Sequence, residues 1–418
     1  MATASSDWAA LVAALFRQNQ FAIKYDLEAM HAAVAREGLE RVAPRVVLVA
    51  GTNGKGSTAA ALHALARRAG WDVGLYTSPH LISVRERARL NGTPIGEADA
   101  QRHLAHVMRE YSGQERPAWG ARALSYFELT TLWALRWFKE REPDLVILEV
   151  GLGGRLDATN VIDRDVTVIT SVGMDHQQWL GDTLAAIASE KAGICREGLP
   201  VVLHRRSGGF AEARAAAEAR RAAVHVAEAG DDPGAWAASL ARGVLSLVPC
   251  PPTLSPLDVA GALSEVRWPG RRQALVRDGR LVLLDGAHNP PAIAASVRWL
   301  HRELGGKKIP IIAGLTPDRA PSLLAPYRVH ASAWHLTQAE SGRAAAPDAL
   351  SGAWTGGVGT HEHPSVRHAL AATSEAPVVA VVGSLYLVGD ALSALGETAE
   401  SLSLTAERTA AVSEGGFA

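Results

Sequence analysis

The sequence predicts an α/β protein of two domains, each built on a mostly parallel sheet. Three observations carry that reading. Short, mostly apolar strand candidates recur at 46–50, 73–76, 144–150, 166–170 and 200–203, and again at 281–284, 309–313, 333–336 and 378–382. Segments of helical spacing lie between them, and strands alternating with helices argue for parallel sheets. The chain has 418 residues, 48% of them hydrophobic, which is ample for more than one core. Between the two sets of runs, 230–256 loses both periodicities and holds Asp231-Asp232-Pro233-Gly234 and Pro249-Cys250-Pro251-Pro252, which marks it as the boundary region. Trp268-Pro269-Gly270-Arg271-Arg272 then leads into the second set. The domains are accordingly 1–266 and a smaller 267–418.

Composition narrows the function. With 42 Lys and Arg against 43 Asp and Glu, the net charge of −1 argues against a nucleic-acid-binding surface. Two cysteines, Cys195 and Cys250, do not make a disulfide framework and fit a reducing cytoplasm. No apolar stretch approaches the roughly 20 residues that span a bilayer. The N-terminal MATASSDWAALVAALF is amphipathic, lacks a basic lead, and reads as a first helix rather than a signal peptide. The expectation is a soluble cytoplasmic monomer whose partners are small molecules, not nucleic acid or membrane.

The elements follow in order. Residues 8–37 read as helices, with Trp8, Leu11, Val12, Leu15 and Phe16 on one core-facing stripe. The run 46–50 then meets Gly51-Thr52-Asn53-Gly54-Lys55-Gly56-Ser57, which opens an Ala-rich helix. A buried strand, a glycine-rich turn and a helix start make a phosphate cradle, in which backbone N–H groups and the helix N-terminus face the anion. Lys55 suits the outer phosphates and Ser57 a magnesium ion, although Gly56 separates them where the usual P-loop has none. The first domain is therefore P-loop-type. Arg85, Glu86, Arg87 and Arg89 read as a solvated charged face ahead of an Asn91-Gly92 turn. A helix runs from Glu97 to Arg109, and 112–121 is a Gly, Pro and Arg loop. Ser125 with Glu128 fits a capping box opening an apolar helix through Phe138. An Ala/Arg/Glu helix occupies 210–223, and in the second domain helices fall near 291–304, 317–325, 346–351 and 364–373. The tail beyond 394 is polar and its last part is read as frayed.

Polar residues collect at strand ends. Ser78 and His80 follow 73–76, Glu149 closes 144–150, and His176 follows 166–170 through Ser171-Val172-Gly173-Met174-Asp175. A carboxylate inside an apolar β run is costly unless paired or bound to metal, so Glu149 is the first candidate metal ligand. Open α/β sheets gather ligand groups at the carboxyl ends of their strands, and these ends together suggest one site. Lys191, in a helix after His176, is by default a surface lysine. In the second domain Asp285-Gly286-Ala287-His288-Asn289-Pro290 ends one run and Gly383-Ser384 another.

Eight segments in order, GTNGKGS, YTSPHLISVRERARLNG, SYFEL, EVGLGGRLDATN, SVGMDHQQWLG, SEKAGI, WPGRRQ and LDGAHNP, resemble the folylpolyglutamate synthases and the bifunctional dihydrofolate synthases of the Mur ligase superfamily. The likeness runs from about residue 20 to about residue 390. It implies a Rossmann-like second domain and an ATP-dependent ligase, which joins L-glutamate to a folate or dihydropteroate carboxylate through an acyl phosphate. It implies ATP as substrate and two magnesium sites. Residue by residue, Gly51, Thr52, Asn53, Gly54, Lys55, Gly56 and Ser57 hold the phosphates, and Arg271, Asp285 and His288 contact the nucleotide. Ser57, Ser78, Glu149 and His176 hold magnesium, joined by Lys191 at a position that is carbamylated in the superfamily. Lys55, Glu149, His176 and Lys191 form the catalytic group. Asp26, Leu27, Glu28, Tyr126, Phe127, Asp157 and Ala158 form the pterin side.

Relatives also carry a Gly-x-His-Gln stretch and an Asn-bearing helix, with no counterpart between 226 and 266, and Arg272 stands where they often carry an aromatic residue. Two other readings remain beside the folate ligase. One is a Mur-type ligase acting on a different carboxylate, and the other a nucleotide-binding regulator that has lost catalysis.

Overall fold

The computed structural model describes residues 2–18, 26–113, 122–230, 232–340, 344–351 and 358–404. Most of the 112–121 loop and the end of the tail lie outside these residues. The chain forms two compact units, Met1–Ser78 with Val84–Val266, and Pro79–Ser83 with Arg267–Ala418.

Among the described residues the first unit contains eight strands: β1 (Arg45–Ala50), β2 (Val73–Tyr76), β3 (Ala88–Leu90), β4 (Thr93–Pro94), β5 (Leu145–Glu149), β6 (Val166–Ile169), β7 (Pro200–His204) and β8 (Ala223–Ala227). Their order is β4-β3-β2-β5-β1-β6-β7-β8, parallel from β2 to β8, with β3 and β4 antiparallel at one edge. Central strands are buried on both faces, which is why they read as unbroken apolar runs rather than alternating ones. The helix Lys55–Arg68 packs near β1, β2 and β5, and the helices Pro233–Leu245 and Pro256–Ser264 cover it. Ala59, Ala60, Ala61 and Ala66 are all buried there, since short side chains let the layers approach.

Among the described residues the second unit has six strands: β9 (Gln273–Arg277), β10 (Arg280–Asp285), β11 (Ile309–Ala313), β12 (Ala331–Leu336), β13 (Gly359–Glu362) and β14 (Val378–Val382). Their order is β13-β12-β11-β14-β10-β9, parallel except for β9. Its core includes Leu283, Ile293, Leu300, Ile311, Tyr327, Trp334 and Val382.

Several expectations need correction. The charged run is not a solvated face: Glu86, Arg87 and Arg89 are 3%, 6% and 3% exposed, and Arg89 lies in β3. The Asn91-Gly92 turn stands, with φ of 54° and 87°, the left-handed pair a tight hairpin needs. Residues 230–256 are not a boundary but carry the helix Pro233–Leu245, started by Asp232, whose carboxylate accepts from Gly234 and Ala235 N–H groups. The helix after Phe210 stops at Ala219, and β8 takes the residues that follow. Both β8 and β13 are edge strands that the sequence left unmarked: β13 is polar throughout, and the short apolar run of β8 is broken by His225. Pro321 and Pro326 turn the 317–325 helix into a 3₁₀ segment, Pro321–His330.

Candidate active site

The cradle forms where β1 ends. Gly51 has φ 151°, and a Cβ there would fall 1.9 Å from Thr170 Oγ1, so only glycine fits. Thr170 Oγ1 donates to the carbonyl of Asn53 at 2.6 Å, and Ser171 Oγ accepts from the Asn53 N–H at 3.0 Å. Thr52 Oγ1 accepts from the Gly173 N–H at 3.0 Å. The loop after β6 thus fixes the cradle. Gly54 caps the helix in the left-handed region, and the first in-helix bond runs from Thr58 N–H to the Gly54 carbonyl. This leaves the N–H groups of Lys55, Gly56 and Ser57 in the first turn, where an anion is favoured. Lys55 Nζ donates to the Gly51 carbonyl at 2.9 Å.

Sheet order explains why the polar strand ends belong together. β2, β5, β1 and β6 are consecutive and parallel, so Ser78, Glu149, the cradle and His176 all lie at or beyond the same carboxyl edge. Glu149, 5% exposed, sits one register step before the end of β1, paired with Val49. Its Oε2 accepts from the Ser78 N–H at 3.1 Å. His176 has φ 51° and a side chain 41% exposed, with Nε2 3.9 Å from Asp175 Oδ1. Asp175 itself is buried and accepts from the His176 N–H at 2.9 Å. The sequence singled out His176 and passed over Asp175, whose only signal was its place beside that histidine.

Lys191 is not a surface lysine. It is 3% exposed in the helix Leu184–Ala192. Burial, with Lys55 nearby, lowers its pKa to about 7, against the opposing pull of Asp175. The loop after Glu149 leads to this helix, as Arg155 N–H donates to the Glu190 carbonyl at 2.8 Å. Asn160 Nδ2 bridges the Arg155 and Gly193 carbonyls at 2.9 and 3.2 Å.

Among the described residues no three His, Cys, Asp or Glu side chains form a ready cage for a metal. The donors at this edge are instead the buried carboxylates of Glu149 and Asp175, serine hydroxyls and an imidazole. Such a set fits magnesium, which keeps several waters and is held by one or two carboxylates together with substrate phosphates.

The residues expected on the pterin side also come together. Ser125 and Glu128 form the capping box. Arg122 grips Glu128 at 2.8 and 2.9 Å and reaches the Asp26 carbonyl at 3.2 Å, drawing the segment before the helix Glu28–Glu37 towards Tyr126. Leu27 packs on the core cluster that holds Tyr126, and Glu28 is exposed. Phe16 stacks on Tyr126, rings 5.8 Å apart, and Arg87 lies 5.4 Å above that ring. Phe127 tilts against Tyr76 and covers Gly151, where a Cβ would meet its ring at 2.5 Å. Asp157 uses both oxygens on its own loop, Oδ1 on Thr159 and Oδ2 on the Gly151 and Leu152 N–H groups at 2.9 and 3.0 Å. Ala158 follows it, buried. Arg122 lies just past the 112–121 loop, Arg87 in the charged run and Phe16 in the core stripe, and nothing in those patterns marks the three as neighbours of Tyr126 or Glu128.

In the second unit, Arg271 Nη1 donates to the Gly286 carbonyl at 3.0 Å, and His288 Nδ1 lies 2.8 Å from that same oxygen. Asp285, 4% exposed, is raised in pKa by burial, with Arg271 opposing. Arg271, Asp285 and His288 therefore share one corner at the end of β10. Arg272 has φ 46°. Helices Pro233–Leu245 and Pro256–Ser264 occupy the stretch where the Asn-bearing segment is missing.

No protein-family model matches the chain. The dihydrofolate synthase/folylpolyglutamate synthase of Escherichia coli strain K12 is 34% identical over 355 residues, 78% of this chain and 81% of that protein. The crystal structure of the bifunctional folylpolyglutamate synthase/dihydrofolate synthase of Yersinia pestis, complexed with AMPPNP and Mn ion, superposes with a TM-score of 0.81. It is 31% identical and covers 95% of this chain and 100% of its own. A structure of a bifunctional enzyme of the same name with Mn, AMPPNP and L-glutamate bound gives 0.81 at 32% identity, covering 94% and 99%. On that extent of identity in sequence and structure, the chain belongs to the dihydrofolate synthase/folylpolyglutamate synthase family.

Proposed function

We propose that this chain is an ADP-forming ligase that joins L-glutamate to the carboxylate of a folate or dihydropteroate. The observation that carries the reading is the shared edge of β2, β5, β1 and β6, which sets the phosphate cradle beside a buried carboxylate and near a buried lysine of lowered pKa. A binder that had lost catalysis has no need of the last two. The relatives' names and their bound AMPPNP, Mn and L-glutamate favour folate over another carboxylate acceptor.

A carboxylate is a poor electrophile, so the acceptor oxygen first attacks the γ-phosphorus of ATP and ADP leaves. The glutamate nitrogen then attacks the acyl carbon, loses a proton, and phosphate departs with the former carboxylate oxygen. In this scheme the cradle N–H groups of residues 51–57 and Lys55 offset phosphate charge, with Lys55 exchanging its Gly51 bond for the phosphates. Ser57, Ser78, Glu149 and His176 would hold magnesium, whose contribution is to neutralise charge on the phosphates. Lys191, neutral in part near pH 7, can attack carbon dioxide and shed a proton to give a carbamate, turning a cation into an anionic oxygen ligand. Asp26, Leu27, Glu28, Tyr126 and Phe127 line the pterin side, Asp157 and Ala158 shape its loop, and Arg271, Asp285 and His288 contact the nucleotide. The domain reading follows: 1–266 carries the cradle and folate side, 267–418 the glutamate-ligase fold. Among the described residues no helix is long and apolar enough to cross a membrane. We read the protein as a cytoplasmic monomer with small-molecule partners only.

The test is phosphate release from the purified chain. It should require ATP, magnesium, glutamate and a pteroate or folate acceptor together. Release indifferent to the acceptor overturns the folate assignment.

A further inference from the structure

Two loops leave the first sheet side by side, because β1 and β6 are parallel neighbours with Ala50 opposite Ile169. One becomes the phosphate cradle, and the other runs through Gly173 to His176. Thr52 joins them with both its N–H and its hydroxyl. The N–H donates to the Ser171 carbonyl at 2.9 Å. The hydroxyl donates to the Gly173 carbonyl at 3.2 Å and accepts from the Gly173 N–H at 3.0 Å. A threonine hydroxyl carries one proton, and here it goes to Gly173 rather than to an anion in the cradle. The far end of the second loop is held in turn. Asp175 Oδ1 accepts from the His176 N–H at 2.9 Å, and the His176 carbonyl accepts from the Trp179 and Leu180 N–H groups at 2.9 and 3.0 Å. His176 has φ 51°, a conformation that a residue with a side chain keeps only where its surroundings impose it. Only Met174 and Asp175 separate this constrained histidine from the residue that Thr52 grips.

We propose that Thr52 is a positioning residue that couples nucleotide binding to metal binding, by tying the cradle to the loop that carries His176. Phosphate contact then falls to Gly54, Lys55, Gly56 and Ser57. When a phosphate orders the cradle, Thr52 carries that order to Gly173 and sets where the His176 imidazole stands. This role rests on the ligase reading, in which His176 holds magnesium. Such coupling is reciprocal: metal tightens nucleotide binding by the same factor with which nucleotide tightens metal binding.

Calorimetric titration of the full chain with ADP, with and without manganese, tests it alongside electron paramagnetic resonance of the free manganese ion. Thr52→Val should bind ADP without metal as the parent does, since the backbone bond to Ser171 and those of Asn53 keep the cradle's shape. With ADP present it should bind manganese about three- to tenfold more weakly, the effect of roughly one lost hydrogen bond. Thr52→Ala should reproduce the loss, and Thr52→Ser, which keeps the hydroxyl, should restore the parent's affinity. In a His176→Ala background Thr52→Val should cost nothing further, because the coupling has lost its far end. Equal weakening of ADP with and without manganese would make Thr52 a phosphate contact and overturn the coupling. So would a Thr52→Val loss of the same size whether or not His176 is present. If His176→Ala binds manganese like the parent, the His176 assignment falls and the coupling with it, whereas acceptor-dependent phosphate release judges the ligase reading separately.

Discussion

The Ser78 N–H donates to Glu149 Oε2 across 3.1 Å, joining the ends of two adjacent parallel strands through a carboxylate that is otherwise buried. A buried carboxylate at a strand edge is costly in an apolar sheet unless its charge is used. Glu149→Gln keeps an acceptor for Ser78 and removes only the charge. It should fold normally, lose about 100- to 1000-fold in kcat, and require more magnesium for half-maximal rate. Magnesium titrations of the two proteins check this, and an unchanged magnesium requirement would exclude Glu149 as a ligand.

Lys191 is the residue whose structural position most changes its meaning. Its lowered pKa, about 7, makes the neutral amine abundant above that pH, and the amine is the form that takes up carbon dioxide. Activity should therefore fall as pH drops below about 7 and should fall in carbonate-depleted buffer. Lys191→Ala should lose about a hundredfold or more in kcat while still binding ATP, and added short carboxylates should restore part of it. Parent-like turnover by Lys191→Ala would end the idea.

Arg122 holds the proposed pterin side together by pairing with Glu128, which is buried within the capping box. Arg122→Ala leaves that carboxylate without its cation and releases Asp26. A loss of about 1–3 kcal/mol is expected, since Arg122 is partly exposed and the box keeps its Ser125 bonds. Urea unfolding should show the drop, and KM for the folate acceptor should rise more than KM for ATP. Equal changes in both constants would contradict the placement.

Two buried histidines predict acid sensitivity. Burial lowers His63 to about 3, helped by Arg67 and Arg89, and lowers His335 to about 4, helped by His363 and His361. Unfolded histidines take up protons near pH 6.5, so the unfolded chain binds more protons below that value. Stability should therefore decline from about pH 6.5 to about pH 4. His335→Asn should flatten the decline, as measured by urea midpoints at a series of pH values, and an unaltered slope would show that His335 does not contribute.

Much of the site was legible because the sheet turns sequence order into spatial order. Once four apolar runs are parallel neighbours, whatever follows each run lies at one edge, and Ser78, Glu149 and His176 were read that way. Side-chain direction was not legible. Lys191 sits on a short helix whose spacing says nothing about burial, and Glu86, Arg87 and Arg89 look like any surface run although tertiary packing buries them. Phe16 sat in a stripe read as core, but it is 38% exposed and stacks on Tyr126. Edge strands such as β13, with a polar sequence and every residue exposed, take their conformation from the neighbouring strand rather than from their own pattern.

The central claim is that the acceptor carboxylate is activated by phosphorylation before glutamate attacks it. The direct measurement is the fate of a heavy-oxygen label placed in that carboxylate, followed by mass spectrometry of the released phosphate. The account predicts that each phosphate formed during ligation carries one labelled oxygen from the acceptor. Phosphate free of label, with a glutamylated product formed, would contradict the acyl phosphate and with it the mechanism assigned to this edge.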